Sequence, residues 1–257
     1  MNFFAYIGES FLFFLNKVGS IFLFLFNTIK SSVCYPWYIR QIWNHFLHFS
    51  FYSLPVVGMT AIFTGMVLAL QSYTGFSRFS AESTIATVVV LSMTRELGPV
   101  LAGLMVAGRV GASIAAEIGT MRVSEQLDAL VTLRVNPFQY LFWPYFLSGI
   151  IALPLLVIVA DVIGVLGGYL VSVYKLDFNA SQYLHQTVQY LKMDDVMSGI
   201  IKSSFFGGVI ALMGCYHGYH SARGAEGVGQ ATTKAVVSAS ILILLMNYIL
   251  TNILFKK

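Results

Sequence analysis

Charge is what this sequence has least of. Of 257 residues, 15 are Lys or Arg and 11 are Asp or Glu, 10% of the chain, where a soluble domain carries about 25%. So few charges cannot solvate a globular surface. The composition is 57% hydrophobic and the mean hydropathy is +0.76. These values exclude a soluble enzyme and point to an all-α polytopic membrane protein. Cysteine is nearly absent as well. Cys34 and Cys215 are far apart, which excludes a disulfide framework and leaves both as small apolar residues. No stretch is long and polar enough for a soluble catalytic domain. The N-terminus lacks the basic region and the A-x-A site of a cleaved signal peptide. The net charge of +4 needs no nucleic-acid partner; in a membrane protein it reflects Lys and Arg on cytoplasmic loops.

Several chemical motifs are missing too. Residues 224–231 read G-A-E-G-V-G-Q-A, with Gln230 and Ala231 where a phosphate loop needs Lys and a hydroxyl, so no ATP is expected there. His217 and His220 have no Cys or carboxylate close in sequence, and an interfacial role fits them better than a metal site. Asn179-Ala180-Ser181 is a formal glycosylation sequon of a kind that arises by chance.

What is present is apolar and periodic. A bilayer core needs about 20 helical residues. Five blocks qualify as spans: 51–73, 84–118, 138–172, 197–218 and 235–255. Two are overlong, the second at about 50 Å if straight; Pro99 is expected to kink one, and Pro144 and Pro154 to break the other. In residues 3–29, Glu9, Asn16, Ser20 and Asn27 fall on one narrow helical stripe with Lys17 beside it. That pattern predicts a helix in the membrane interface, broken at Gly19, with a sixth span as the competing reading. The chain divides into an N-terminal interfacial segment, 1–48, and a five-span domain, 49–257. Lys17, Lys30, Arg40, Arg122, Arg134 and Arg223, with Lys234 at the edge, fall on one side. Arg78, Lys175 and Lys192 fall on the other with Glu82, Asp177, Asp194 and Asp195. This puts the N-terminus in the cytoplasm and the C-terminus outside, against which Lys256 and Lys257 argue.

Residues 94–130 concentrate the signal, reading TRELGPVLAGLMVAGRVGASIAAEIGTMRVSEQLDAL. Gly103, Ala107, Gly111, Ala115 and Gly119 form a ladder every fourth residue, with Gly108, Ala112 and Ala116 as a second row. Such rows let helices approach closely, within a subunit or between two. Gly207 with Ala211, and Gly214 with Gly218, repeat the theme. Arg95 and Arg109 are fourteen residues apart and would share a face of a regular helix. Charges in a membrane segment need polar company. Arg95, Glu96 and Lys202 therefore read either as structural ion pairs or as a polar wall for a zwitterionic or anionic head group. Asp161 is either a helix–helix hydrogen-bonding group or part of the route. Residues 117–133 predict a short amphipathic cytoplasmic helix with Arg122, Glu125, Gln126 and Asp128 on its wet side, which reads either as an ordinary connector or as an element that couples, with Glu117, to a soluble motor.

The same 94–130 stretch closely resembles the signature of MlaE-type (YrbE-like) permeases, membrane subunits of ABC transporters that move phospholipids between the inner and outer membranes of diderm bacteria. Weaker similarity runs from about residue 45 to the C-terminus. It includes N-P-F at 136–138, I-K-S around Lys202, G-x-x-x-A-T-T-K-A-V-V ending at Val237, and L-T-N at 250–252. The resemblance implies five transmembrane helices, an N-terminal interfacial helix and a cytoplasmic coupling helix, in a homodimer in the bacterial inner membrane. It implies a phospholipid cavity marked by Arg95, Glu96 and Lys202; Pro99 as the kink and Arg109 on the small-residue ladder read as structural. It also implies coupling through 117–133 to a separate ABC ATPase, so that ATP is a cofactor of the partner and of nothing on this chain. A periplasmic MCE-domain ring and a STAS-domain protein complete the expected partners, and outer-membrane lipid asymmetry the expected role. One departure stands out: Asn247 occupies the place of an Asp that many relatives carry. A stand-alone secondary transporter and a scaffold for a periplasmic lipid-binding ring are the alternatives; co-purification with an ATPase separates them.

Overall fold

The computed structural model describes residues 3–32, 37–77 and 84–255, and these are helical with no strand among them. Cys34, Arg78, Glu82, Lys256 and Lys257, invoked above, lie outside the described residues. The first two helices are α1 (Phe3–Ser32) and α2 (Ile39–Ser50), and a tight turn leads α2 into α3 (Leu54–Phe76). A second continuous run holds α4 (Ile85–Ser92), α5 (Gly98–Val106) and α6 (Ala112–Val123). The connector helix α7 (Gln126–Thr132) leads to α8 (Trp143–Tyr174), α9 (Ala180–Tyr190), α10 (Met193–Tyr219) and α11 (Gly224–Leu254).

Among the described residues six runs are long and apolar enough to cross a membrane, one more than the five read from sequence. The addition is Phe11–Ser31, inside α1. α1 is continuous through Gly19, so the expected break is absent: a single glycine costs a helix only about 1 kcal/mol. Its aromatic contacts fall at one end of the bundle. Phe24 packs on Phe138 and Phe142 at the start of the α8 run and on Tyr216, Tyr219 and His220 at the end of α10.

The overlong runs are handled by wide π turns, in which N–H groups reach five residues back. One covers Met93–Leu97, where the Gly98 N–H bonds the Met93 carbonyl, and another Phe138–Phe142, where the Trp143 N–H bonds the Phe138 carbonyl. Each sits just ahead of a proline, Pro99 or Pro144. The proline ring crowds the carbonyl four residues earlier, and a wider turn relieves that contact. Pro154 does not break α8, which continues through it. A third π turn, Ala107–Gly111, carries Arg109.

Bare backbone forms the tightest seams. A β-carbon on Gly65 would collide with the Gly164 carbonyl, joining α3 to α8. One on Gly207 would collide with the Gly149 carbonyl, joining α10 to α8. The ladder Gly103, Ala107, Gly111, Ala115 and Gly119 is buried within the subunit. Gly103 faces Phe206 and Ile243, Gly111 faces Ile210, and Gly119 faces Val228. The second row is more open: Gly108 is exposed, with open space where a side chain would go. A Gly207→Leu substitution must therefore push α8 off α10 and should destabilise the subunit by about 3 kcal/mol, seen as a lower melting temperature in detergent. Gly108→Ala meets open space and should not lower that temperature, and it should raise it slightly.

Candidate functional site

Pro99 sets the geometry of the site. It has no N–H to give the Arg95 carbonyl four residues earlier. Lys202, on α10, takes the place of that donor: its Nζ donates to the Arg95 carbonyl at 2.8 Å and to Glu96 Oε1 at 2.7 Å. The ammonium is fully buried, and an unpaired charge there would cost several kcal/mol. Glu96 is fixed from α11 as well. Asn247 Nδ2 donates to its Oε2 at 2.8 Å, and the Thr251 hydroxyl to its Oε1 at 3.1 Å.

Arg95 points to the first turn of α10. Its Nε donates to Asp195 Oδ1 at 2.7 Å, and its Nη2 lies 2.6 Å from the same oxygen. The other carboxylate oxygen of Asp195 accepts from the Lys192 backbone N–H, capping α10. The Phe255 ring lies 4.9 Å from the Arg95 guanidinium and 5.8 Å from the Lys202 ammonium. Two cations and two anions from two helical runs, with neutral groups from a third, thus form one network of zero net charge. Lys202 and Asp195 are buried, whereas Arg95 and Glu96 each keep 38% of their side-chain surface open. At the residue after Glu96, Leu97, an apolar groove of about 380 Å³ begins, lined otherwise by Phe63, Val67 and Leu68 with Thr64 and Gln71.

The structure brings Arg95, Glu96 and Lys202 together. It adds Asp195, Asn247, Thr251 and Phe255. Asp195 reads from sequence as a loop charge, yet its place three residues after the Lys192 cap marks a helix start whose carboxylate faces the N-terminus. Arg109 does not share a face with Arg95. The π turns add residues to the repeat and turn it elsewhere. Its Nη1 donates to Ser53 Oγ at 2.7 Å, ahead of α3, and its guanidinium lies 5.7 Å from the Tyr52 ring. Asp161 Oδ1 lies buried against Gly98 with no hydrogen-bond partner among the described residues.

The connector differs from the expected 117–133 helix. Residues up to Val123 continue the spanning run, and Glu117 is held there by the Tyr145 hydroxyl, which donates to Oε2 at 2.7 Å. The chain turns at Glu125, in the left-handed region at φ 59°, and α7 begins at Gln126. Arg122 Nη1 reaches Asp128 Oδ1 across that turn at 2.9 Å. Residues 224–231 are the first two turns of α11 rather than a loop. Asn179 caps α9, accepting from the Ser181 and Gln182 N–H groups. His217 pairs with Ser238 and His220 with the Tyr216 carbonyl, and no metal-competent cluster occurs among the described residues.

Long apolar helices, a charge network held at one end and a braced connector at the other define a multi-pass membrane permease. The family model described as "Permease MlaE" matches residues 42–253. A "Probable ABC transporter permease protein" of Rickettsia felis is 59% identical over 97% of this chain and 96% of its own length. The "Intermembrane phospholipid transport system permease protein MlaE" of Haemophilus influenzae is 34% identical over 99% and 98%. "Protein TRIGALACTOSYLDIACYLGLYCEROL 1, chloroplastic" of Arabidopsis thaliana is 36% identical over 79% of this chain and 58% of that one. The chain belongs to the MlaE permease family and is an ABC transporter permease.

Lys202→Met keeps the volume but removes the charge. It should cost about 3 kcal/mol, the low end for breaking a buried pair, because Glu96 retains Asn247 and Thr251. The unfolding midpoint in detergent should drop, and Glu96→Gln added to Lys202→Met should restore part of it.

Proposed function

We propose that this permease moves phospholipids between the inner and outer membranes, from the inner membrane, and so maintains outer-membrane lipid asymmetry. The observation that carries the reading is the neutral network with two half-open members, Arg95 and Glu96, and an apolar groove that begins at Leu97. A phospholipid is that combination in one molecule: a phosphate for Arg95, in zwitterionic lipids an amine for Glu96, and tails for apolar walls. A guanidinium meets a phosphate with two parallel N–H bonds, which favours phosphate recognition at Arg95. Because the network has no net charge, head-group ions can replace its internal pairs like for like. The names of the Haemophilus and Rickettsia relatives support the lipid and the ABC machinery respectively.

The remaining parts follow the same reading. A separate ABC ATPase binds and hydrolyses ATP, pressing on α7 and the Arg122–Asp128 turn. Glu125 and Gln126 at the bend are its contact points, and Glu117 acts from behind by holding α6 to α8. Two copies form a homodimer, to which the open row of Gly108, Ala112 and Ala116 offers a close-packing face. An MCE-domain ring outside and a STAS-domain protein inside complete the assembly.

Transfer of labelled phospholipid between vesicles, with the chain co-reconstituted with its ATPase, tests the reading. Arg95→Gln and Glu96→Gln should each slow transfer about tenfold, the loss of one charge-assisted hydrogen bond. ATPase co-purification should stay at the wild-type level. Transfer at the wild-type rate in both variants would exclude a head-group role.

A further inference from the structure

A second polar pocket lies at the other end of the bundle, where α1 crosses α10 and α11. It encloses about 420 Å³. Lys17 of α1, His217 and His220 of α10, and Lys234 of α11 line it with Ser221 and Ser238, and no carboxylate is among its lining residues. Glu226, a turn before Gln230, is occupied with that residue's amide. Lys17, Lys234 and His220 are the electrostatic neighbours of His217, and the two lysines supply the positive charge. Neither lysine has an ion-pair partner among the described residues, and Lys17 Nζ rests 4.6 Å from the Phe13 ring. The Ser221 hydroxyl, buried at the pocket wall, has no hydrogen-bond partner among them either. Concentrated positive charge without a counterion is what a bound anion would relieve.

The level of the pocket decides which anion. α11 has 31 residues, about 46 Å, while a bilayer core takes about 30 Å. If residues 235–254 fill the core, Lys234 sits at its boundary, where lipid phosphates lie. Val18 and Ile21 line the pocket on the α1 side, and Phe22, Leu23 and Phe26 leave an apolar face uncovered next to it. We infer that the α1–α10–α11 pocket binds a phosphate group, with Lys17 and Lys234 as its counterions and the Ser221 hydroxyl as a hydrogen-bond donor. An anionic phospholipid of the connector-side leaflet supplies that phosphate and seats α1 on the bundle. This site is separate from the Arg95–Glu96 network and does not depend on the transport reading.

Native mass spectrometry of the full chain in detergent, titrated with phosphatidylglycerol, tests it. Lys17→Gln with Lys234→Gln should weaken binding roughly 25-fold, about fivefold for each cation near a lipid surface. Both side chains are exposed, so folding should persist, checked by an unchanged melting temperature. Lys175→Gln at the opposite end should leave this binding as in the wild type. In a competition arm, failure of inorganic phosphate to displace the lipid assigns the site to a head group. Displacement by inorganic phosphate at millimolar concentration supports the same phosphate site with a soluble source. Equal phosphatidylglycerol affinity in the wild type and the double variant overturns the inference.

Discussion

The buried ammonium of Lys202 is the interaction on which the rest of the site depends. A lysine deep in a membrane bundle survives only if its charge is paired and its ammonium finds acceptors. Two acceptors come from one turn of helix, the Arg95 carbonyl and the Glu96 carboxylate. The carbonyl is available because Pro99 supplies no N–H to it. A backbone defect in one helix and a cation from another thus satisfy each other, and that exchange fixes α10 against the Met93–Leu97 turn. Gly199 completes the fit: a β-carbon there would collide with the Thr94 carbonyl.

Much of this was legible in the residues. Composition gave the membrane class, the 94–130 stretch gave the family, and misplaced charge gave Arg95, Glu96 and Lys202. The ladder was visible too, but not which row faces inward, because that depends on neighbouring helices. Spacing misled at Arg109, since a regular 3.6-residue repeat cannot foresee π turns. It misled at Asp195 because a charge at the end of a span looks solvated until a partner from another helix reaches it. Residue Asn247 looked like a defect in a family pattern. In place it is a donor to Glu96, and an Asp would set two carboxylates face to face and give the network a net negative charge. Glu117 resisted for the opposite reason: its partner, Tyr145, is close in space but comes from a helix on the far side of the connector.

α1 shows how length and contact answer different questions. By length and apolarity it could cross the membrane. By contact it is gathered at one end, with Phe24 in an aromatic cluster and the Ser20 hydroxyl bonded to that of Tyr216. We propose that α1 lies in the interface, a placement that suits both these contacts and the polar stripe of Glu9, Asn16, Ser20 and Asn27.

The glycine seams have a mechanical meaning. Where α3, α8 and α10 meet through bare backbone, no side-chain cushion can be rearranged, so these helices shear poorly and behave as one plate. α11 is different, with only 17% of its apolar window buried. It meets the plate at the network through an amide, a hydroxyl and an aromatic ring, from Asn247, Thr251 and Phe255, none of them an ion. α3, α8 and α10 are therefore the stiff body of the permease, α11 packs on it through Ala231, Ala235, Ala239 and Ile243, and the charged cluster fastens the far end of that helix.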